Sequence, residues 1–138
     1  MKDEVGLLIS YNIHMGLIYF TLDELKCQHC GKHGINLEFM EKIDKLRAVC
    51  GFPFIVTSAY RCEEHPIEAR KAKLGTHSTG HAIDIHCYGD KALRILEEAQ
   101  KMGFKRIGIA QKGELNKRFI HLDDADELGF PSPAIWTY

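Results

Sequence analysis

The sequence predicts one α+β domain, an antiparallel sheet packed against helices with one sheet face left open. Two stretches carry apolar residues at helical spacing, and short β-branched runs alternate between apolar and polar positions. The predicted order is helix, strand, helix, strand, helix, strand, strand, which suits a layered sheet and not a βαβ repeat.

Gly16-Leu-Ile-Tyr-Phe20 reads as strand-like, and Thr21 followed by Glu24 has the spacing of a capping box opening a short helix. Asn36 is the expected N-cap of a helix through Cys50, with Leu37, Met40, Ile43, Leu46 and Val49 on one stripe. Gly51 and Pro53 stop it. Phe54 to Ser58 reads as a buried strand, and Glu63 to Leu74 as a helix with Pro66 in its first turn. Ala82 to Tyr88 is a strand whose Ile83, Ile85 and Cys87 face the core while Asp84 and His86 face the other side. Asp90 is expected to cap a helix to about Met102, ended by Gly103. Arg106 to Gln111 and Arg118 to Leu122 are two more strands, with a hairpin at Gly113-Glu-Leu-Asn116. Residues 1–14 are expected to be a flexible leader, with Met15 as an alternative start, and residues 15–138 to be the domain.

Composition narrows the function. The 138 residues are 45% hydrophobic and 27% charged, as in a soluble globular protein that builds its own core. A formal net charge of −1 argues against nucleic-acid binding. No apolar run reaches the length of a membrane span, and no secretory signal pattern opens the chain. Five cysteines, an odd number, argue against a disulfide framework and for synthesis in a reducing cytoplasm. Eight histidines direct attention to metal chemistry.

The strongest local feature is Thr76-His77-Ser78-Thr79-Gly80-His81-Ala82-Ile83-Asp84. His77 and Asp84 have opposite strand parity, so one continuous strand would separate them. A turn at Gly80 can bring them to one point. In Phe119-Ile-His-Leu-Asp123, Ile120 and Leu122 suit the core, and His121 and Asp123 the open face. Two strands of one sheet would then present Asp84 and His121 together. Two imidazoles and a carboxylate suit Zn2+, and three protein ligands leave a position for water, as in catalytic sites.

The run Ser58-Ala-Tyr-Arg61, then His77-x-x-Gly80-x-Ala82-x-Asp84, then His121-x-Asp123 resembles the zinc D-Ala-D-Ala carboxypeptidase family. That family includes phage and bacterial L-alanyl-D-glutamate endopeptidases, with the hedgehog signalling domain as a distant relative. The resemblance runs from about Phe20 to the C-terminus, and Phe20-Thr-Leu-Asp-Glu24 and Ile135-Trp-Thr-Tyr138 also look like phage-type members. It implies that His77, Asp84 and His121 are the zinc ligands and that Arg61 holds the substrate, with Ser58 lining the same pocket. It also implies a metallopeptidase acting on peptidoglycan stem peptides, expected as a monomer and reaching the cell wall by phage-type release.

Many relatives carry an acid or histidine two or three residues before the last zinc histidine, as general base. Here Phe119 and Arg118 stand there. Asp123 is the first substitute, either as the base or as a carboxylate that orients an imidazole or Arg61. Glu114, His81 and His86 are further candidates. A catalytically impaired zinc-binding module of the same fold is the alternative function. Separately, Cys27-x-x-Cys30 with His33 is half of a zinc knuckle, which Cys50 or His29 would have to complete. A zinc-knuckle interaction protein built on that segment is a third, weaker function.

Overall fold

The computed structural model describes residues 16–138 and shows one α+β domain. The expected leader, residues 1–14, lies outside the described residues. In chain order the elements are α1 (Leu22–Leu25), α2 (Leu37–Cys50), β1 (Ile55–Ser58), α3 (Pro66–Ala69), β2 (Ala82–His86), α4 (Gly89–Lys101), β3 (Arg106–Ala110), β4 (Phe119–Asp123) and β5 (Ala134–Thr137). The sheet order is β1-β2-β4-β3-β5. Four strands pair antiparallel, as expected, but β5 pairs parallel to β3, so the sheet is mixed.

Strand alternation divides the sheet. Ile83 and Ile85 of β2, Ile107 of β3, and Ile120 and Leu122 of β4 are buried against α2 and α4. From α2 come Phe39, Met40, Ile43 and Leu46, and from α4 come Ala92, Ile95 and Ala99. Each large apolar side chain buried here contributes about 1.5–3 kcal/mol relative to exposure. The opposite parity of β2 and β4 faces away from the helices and carries Asp84, His121 and Asp123.

Asn36 caps α2 as its residue type predicts, its side chain accepting the Phe39 N–H at 2.8 Å. Gly51 ends the helix at φ 80°. Several other expectations need correction. Thr21 precedes α1 but makes no side-chain cap bond. Residues 16–20 form turns, not a strand; the Asp44 carboxylate accepts the Ile18 and Tyr19 N–H groups at 3.0 and 2.9 Å, replacing a strand partner. Asp90 lies in the first turn of α4, after the N-cap Tyr88. β1 is an edge strand, so its β-branched run does not bring full burial, and Ile55 is 58% exposed.

The expected helix over Glu63–Leu74 is only the single turn α3. Pro66 sits in its first turn as predicted. Beyond it the chain curls back around Glu68, whose carboxylate accepts the Gly75 N–H at 2.9 Å. A buried acid that collects backbone and side-chain donors competes with helix continuation here.

Candidate metal centre and its cleft

Register places two of the three candidate ligands. Asp84 of β2 pairs directly with His121 of β4, and both point to the open face. His77 arrives from a 3-10 turn, Thr76–Thr79, closed by Gly80 at φ 80°. A side chain at Gly80 would also collide with the Gly34 carbonyl oxygen, so the turn needs glycine twice over. The turn takes His77 out of the strand, which resolves its parity conflict with Asp84.

The ligand atoms of His77, Asp84 and His121 lie within 4.8 Å of one another, and all three residues are buried. Asp84 Oδ1 is 3.3 Å from His77 Nε2 and 2.9 Å from His121 Nδ1. Zinc distances near 2.1 Å at a tetrahedral angle imply ligand atoms about 3.4 Å apart. The remaining ring nitrogens face other partners. His77 Nδ1 lies 2.6 Å from the Ala59 carbonyl oxygen, and His121 Nε2 lies 2.6 Å from Asp123 Oδ2. Each imidazole therefore has one nitrogen anchored and one aimed at Asp84. The donor set and its spacing fit a zinc ion.

Within the cluster the charged forms support one another. Burial pushes the Asp84 carboxyl up, but His121 and His77 outweigh it and hold it well below the ordinary range. Burial pushes His121 down, and Asp123 and Asp84 more than reverse this. Asp123 is itself held low, because His121 and the Ala125 N–H outweigh its burial.

Asp123 is fully buried behind His121. Its Oδ1 accepts from Arg106 Nε at 2.7 Å and from the Ala125 N–H at 3.0 Å, while Oδ2 meets His121. Both oxygens are engaged, which is the position of a carboxylate that orients a ligand imidazole. The other base candidates lie elsewhere. His81 pairs with Asp124 at 2.7 Å, His86 Nδ1 lies 2.9 Å from the Arg118 carbonyl oxygen, and exposed Glu114 is 3.7 Å from Lys117.

Arg61 follows the β1 edge. Ser58 pairs with Asp84 across a register shift between Val56 and Ser58, so Val56 faces the core and Ser58 the open face. Ser58 Oγ accepts from Arg61 Nε at 3.0 Å, and the Arg61 N–H donates to the His77 carbonyl at 3.2 Å. Arg61 Nη1 lies 3.3 Å from Glu68 Oε2, and Nη2 lies 3.7 Å from Asp84 Oδ2. Glu68 also takes Lys71 Nζ at 2.9 Å and Ser78 Oγ at 3.2 Å. Burial pushes the Glu68 pKa up, but Gly75, Lys71 and Arg61 bring it down to about 2.

These groups open into a cleft of about 490 Å³, whose lining includes Arg61, Lys71, Phe119, Trp136 and Tyr138 with the candidate ligands. Asp84 is the one carboxylate in that lining among the described residues. The Trp136 ring packs 5.1 Å from that of His121 and lies over Gly108, where a Cβ would meet its Nε1 at 2.6 Å. Sequence reasoning did not find Glu68 or β5. Glu68 looked like any solvated acid on a helix. The alternating Ile135-Trp-Thr-Tyr138 run was the signal for β5, read only as part of a resemblance.

Comparison with known proteins agrees with this geometry. No curated protein matches the chain. The family model described as Peptidase M15 matches residues 18–123, which include Arg61, His77, Asp84 and His121. With a buried His-Asp-His cluster on the open sheet face and a match over most of its length, the chain belongs to the peptidase M15 family.

Proposed function

We propose that this chain is a zinc-dependent peptidase that hydrolyses peptidoglycan stem peptides at a D-Ala-D-Ala or L-Ala-D-Glu type bond. The carrying observation is the placement of Arg61, whose guanidinium shares one cleft with His77, Asp84 and His121. Zinc held by those three would act as a Lewis acid toward a carbonyl and lower the pKa of water toward about 7.

The chain's own residues supply the rest. Arg61, braced by Ser58 and Glu68, presents a fixed cation to a substrate carboxylate or carbonyl. Lys71 and Arg106 line the same cleft, each already paired, with Glu68 and Asp123. Tyr138 lines the cleft, where its phenol can donate to the substrate. Asp123 holds the His121 ring in place. A peptidase of this kind suits a lysin or tail-borne module, and we place its action at the cell wall.

The second reading, a catalytically impaired zinc module for wall or protein recognition, draws on one observation. Phe119 lines the cleft where relatives carry a base, and Asp123 has no free oxygen. Mass spectrometry of defined muropeptides incubated with zinc-loaded protein separates the two. The peptidase reading expects a new stem-peptide fragment whose mass names the bond. Intact muropeptides at full zinc occupancy would overturn it in favour of the module.

A further inference from the structure

Next to Arg61 in sequence, and outside the cleft lining, Cys62 joins Cys27 and Cys30 with their sulfurs within 4.8 Å of one another. We propose that these three thiols and His29 form a second, closed zinc site that fixes the backbone carrying Arg61. The site is independent of the peptidase reading.

The local geometry supports it. A tetrahedral zinc with Zn–S bonds near 2.3 Å sets sulfurs about 3.8 Å apart, and sulfur and nitrogen about 3.6 Å apart. His29 Nδ1 lies 3.8 Å from Cys62 Sγ, so the imidazole is at ligand-edge distance from that thiol. The Cys62 N–H donates to Cys27 Sγ at 3.3 Å, tying the two halves of the cluster together.

The backbone between Cys27 and Lys32 forms the tight turn that a C-x-x-C chelate needs. Gly31 donates its N–H to the Cys27 carbonyl at 2.8 Å, and Cys27 donates to Lys32 O at 2.9 Å. Residues 26–36 contain no helix or strand, so little else orders them. Cys50, His33 and His29, weighed from sequence as ligands, all stand outside the three-thiol group, where Cys62 supplies the third thiol; His29, beside Cys62, completes the site by turning further in. With four protein ligands the site would leave no position for water, so its role is structural. Cys62 directly follows Arg61, so a metal there anchors the guanidinium that faces the cleft.

The test is metal stoichiometry and cobalt spectroscopy of the full chain, purified under reduction. The wild type is expected to bind two zinc ions, and His121→Ala and Cys30→Ser one each. Cobalt-loaded wild type and His121→Ala should both show near-ultraviolet thiolate-to-cobalt absorption, lost in Cys30→Ser, which changes the exposed member of the cluster. His29→Ala should keep that band and weaken cobalt affinity at least tenfold; unchanged affinity removes His29 from the ligand set. Mercurial titration of zinc-loaded His121→Ala should release its remaining zinc, which requires no cysteine variant. A single zinc that His121→Ala removes completely, or a Cys27–Cys62 or Cys30–Cys62 disulfide in the reduced preparation, would overturn the proposal.

Discussion

His77, Asp84 and His121 sit on two paired strands and the turn leading into one of them, whereas Cys27, Cys30 and Cys62 sit on loops that no sheet ladder joins. In the first cluster the backbone sets the distances before any ion arrives. The Asp84–His121 pair is fixed by β-register, and each imidazole is anchored at its far nitrogen by Ala59 O or Asp123. In the second cluster a 35-residue separation between Cys27 and Cys62 is bridged by one N–H···S contact and a few loop hydrogen bonds. A preorganised site can spend metal binding on chemistry, while a loop-borne site returns it as folding free energy.

The most direct way to break this contrast is to remove one ligand from the sheet. His121→Ala should abolish zinc at that centre and reduce muropeptide turnover to background, while the fold persists because its core lies on the other sheet face. Circular dichroism alongside zinc analysis checks this; an unfolded variant would mean that the sheet site is as structural as the thiol cluster. Arg61→Lys should leave zinc bound and lower kcat/KM by about a hundredfold, because an ammonium cannot keep the forked contacts to Ser58, Glu68 and substrate at once. Activity assays at matched zinc occupancy measure it. Asp123→Asn sharpens the contrast further. If Asp123 orients His121, zinc affinity or activity should fall about 10- to 100-fold. A fall in kcat with zinc affinity unchanged would restore Asp123 as the base.

The sheet-borne half of this contrast was legible in the sequence, and of the loop-borne half only the Cys27-x-x-Cys30 turn was, with His33 and Cys50 weighed in place of Cys62. Strand parity alone put Asp84 and His121 on one face, since a period of two is local and survives without tertiary information. Gly80 marked the turn that carries His77. Cys62, by contrast, is 32 residues beyond Cys30 and follows an edge strand, so no periodicity ties it to the C-x-x-C turn. Glu68 was hidden for the same reason. Its partners Arg61 and Gly75 lie seven residues away on either side, a spacing that only the curled loop closes. β5 escaped because its one neighbour, β3, comes 28 residues earlier and runs parallel to it.

Glu68 offers a smaller effect at the junction of the two clusters. Glu68→Gln should cost about 3 kcal/mol at neutral pH, since it leaves Arg61 and Lys71 without their buried counter-charge. Its folded pKa of about 2 lies below the ordinary 4.5, so the folded state gains stability from this group above pH 4.5. That contribution is lost as pH falls from 4.5 toward 2. Urea unfolding of both proteins at pH 7 and pH 3 should therefore show a gap that narrows on acidification. A constant gap would mean that Glu68 acts through shape and not through charge.

The smallest predicted effect lies at Asn36, which joins α2 to the turn that carries His77. Its side chain caps the helix at Phe39, and its backbone N–H donates to the Gly80 carbonyl at 2.8 Å. Asn36→Ala removes only the first of these, and should cost about 1 kcal/mol of stability. The backbone bond to Gly80 survives the change, so His77 keeps its position and zinc affinity at the sheet site should stay within a factor of two. Chemical denaturation and zinc titration on the same variant measure the two quantities separately. A large loss of zinc affinity with a small loss of stability would show that the turn leans on the helix cap, and that the sheet site is less self-supporting than its strand register implies.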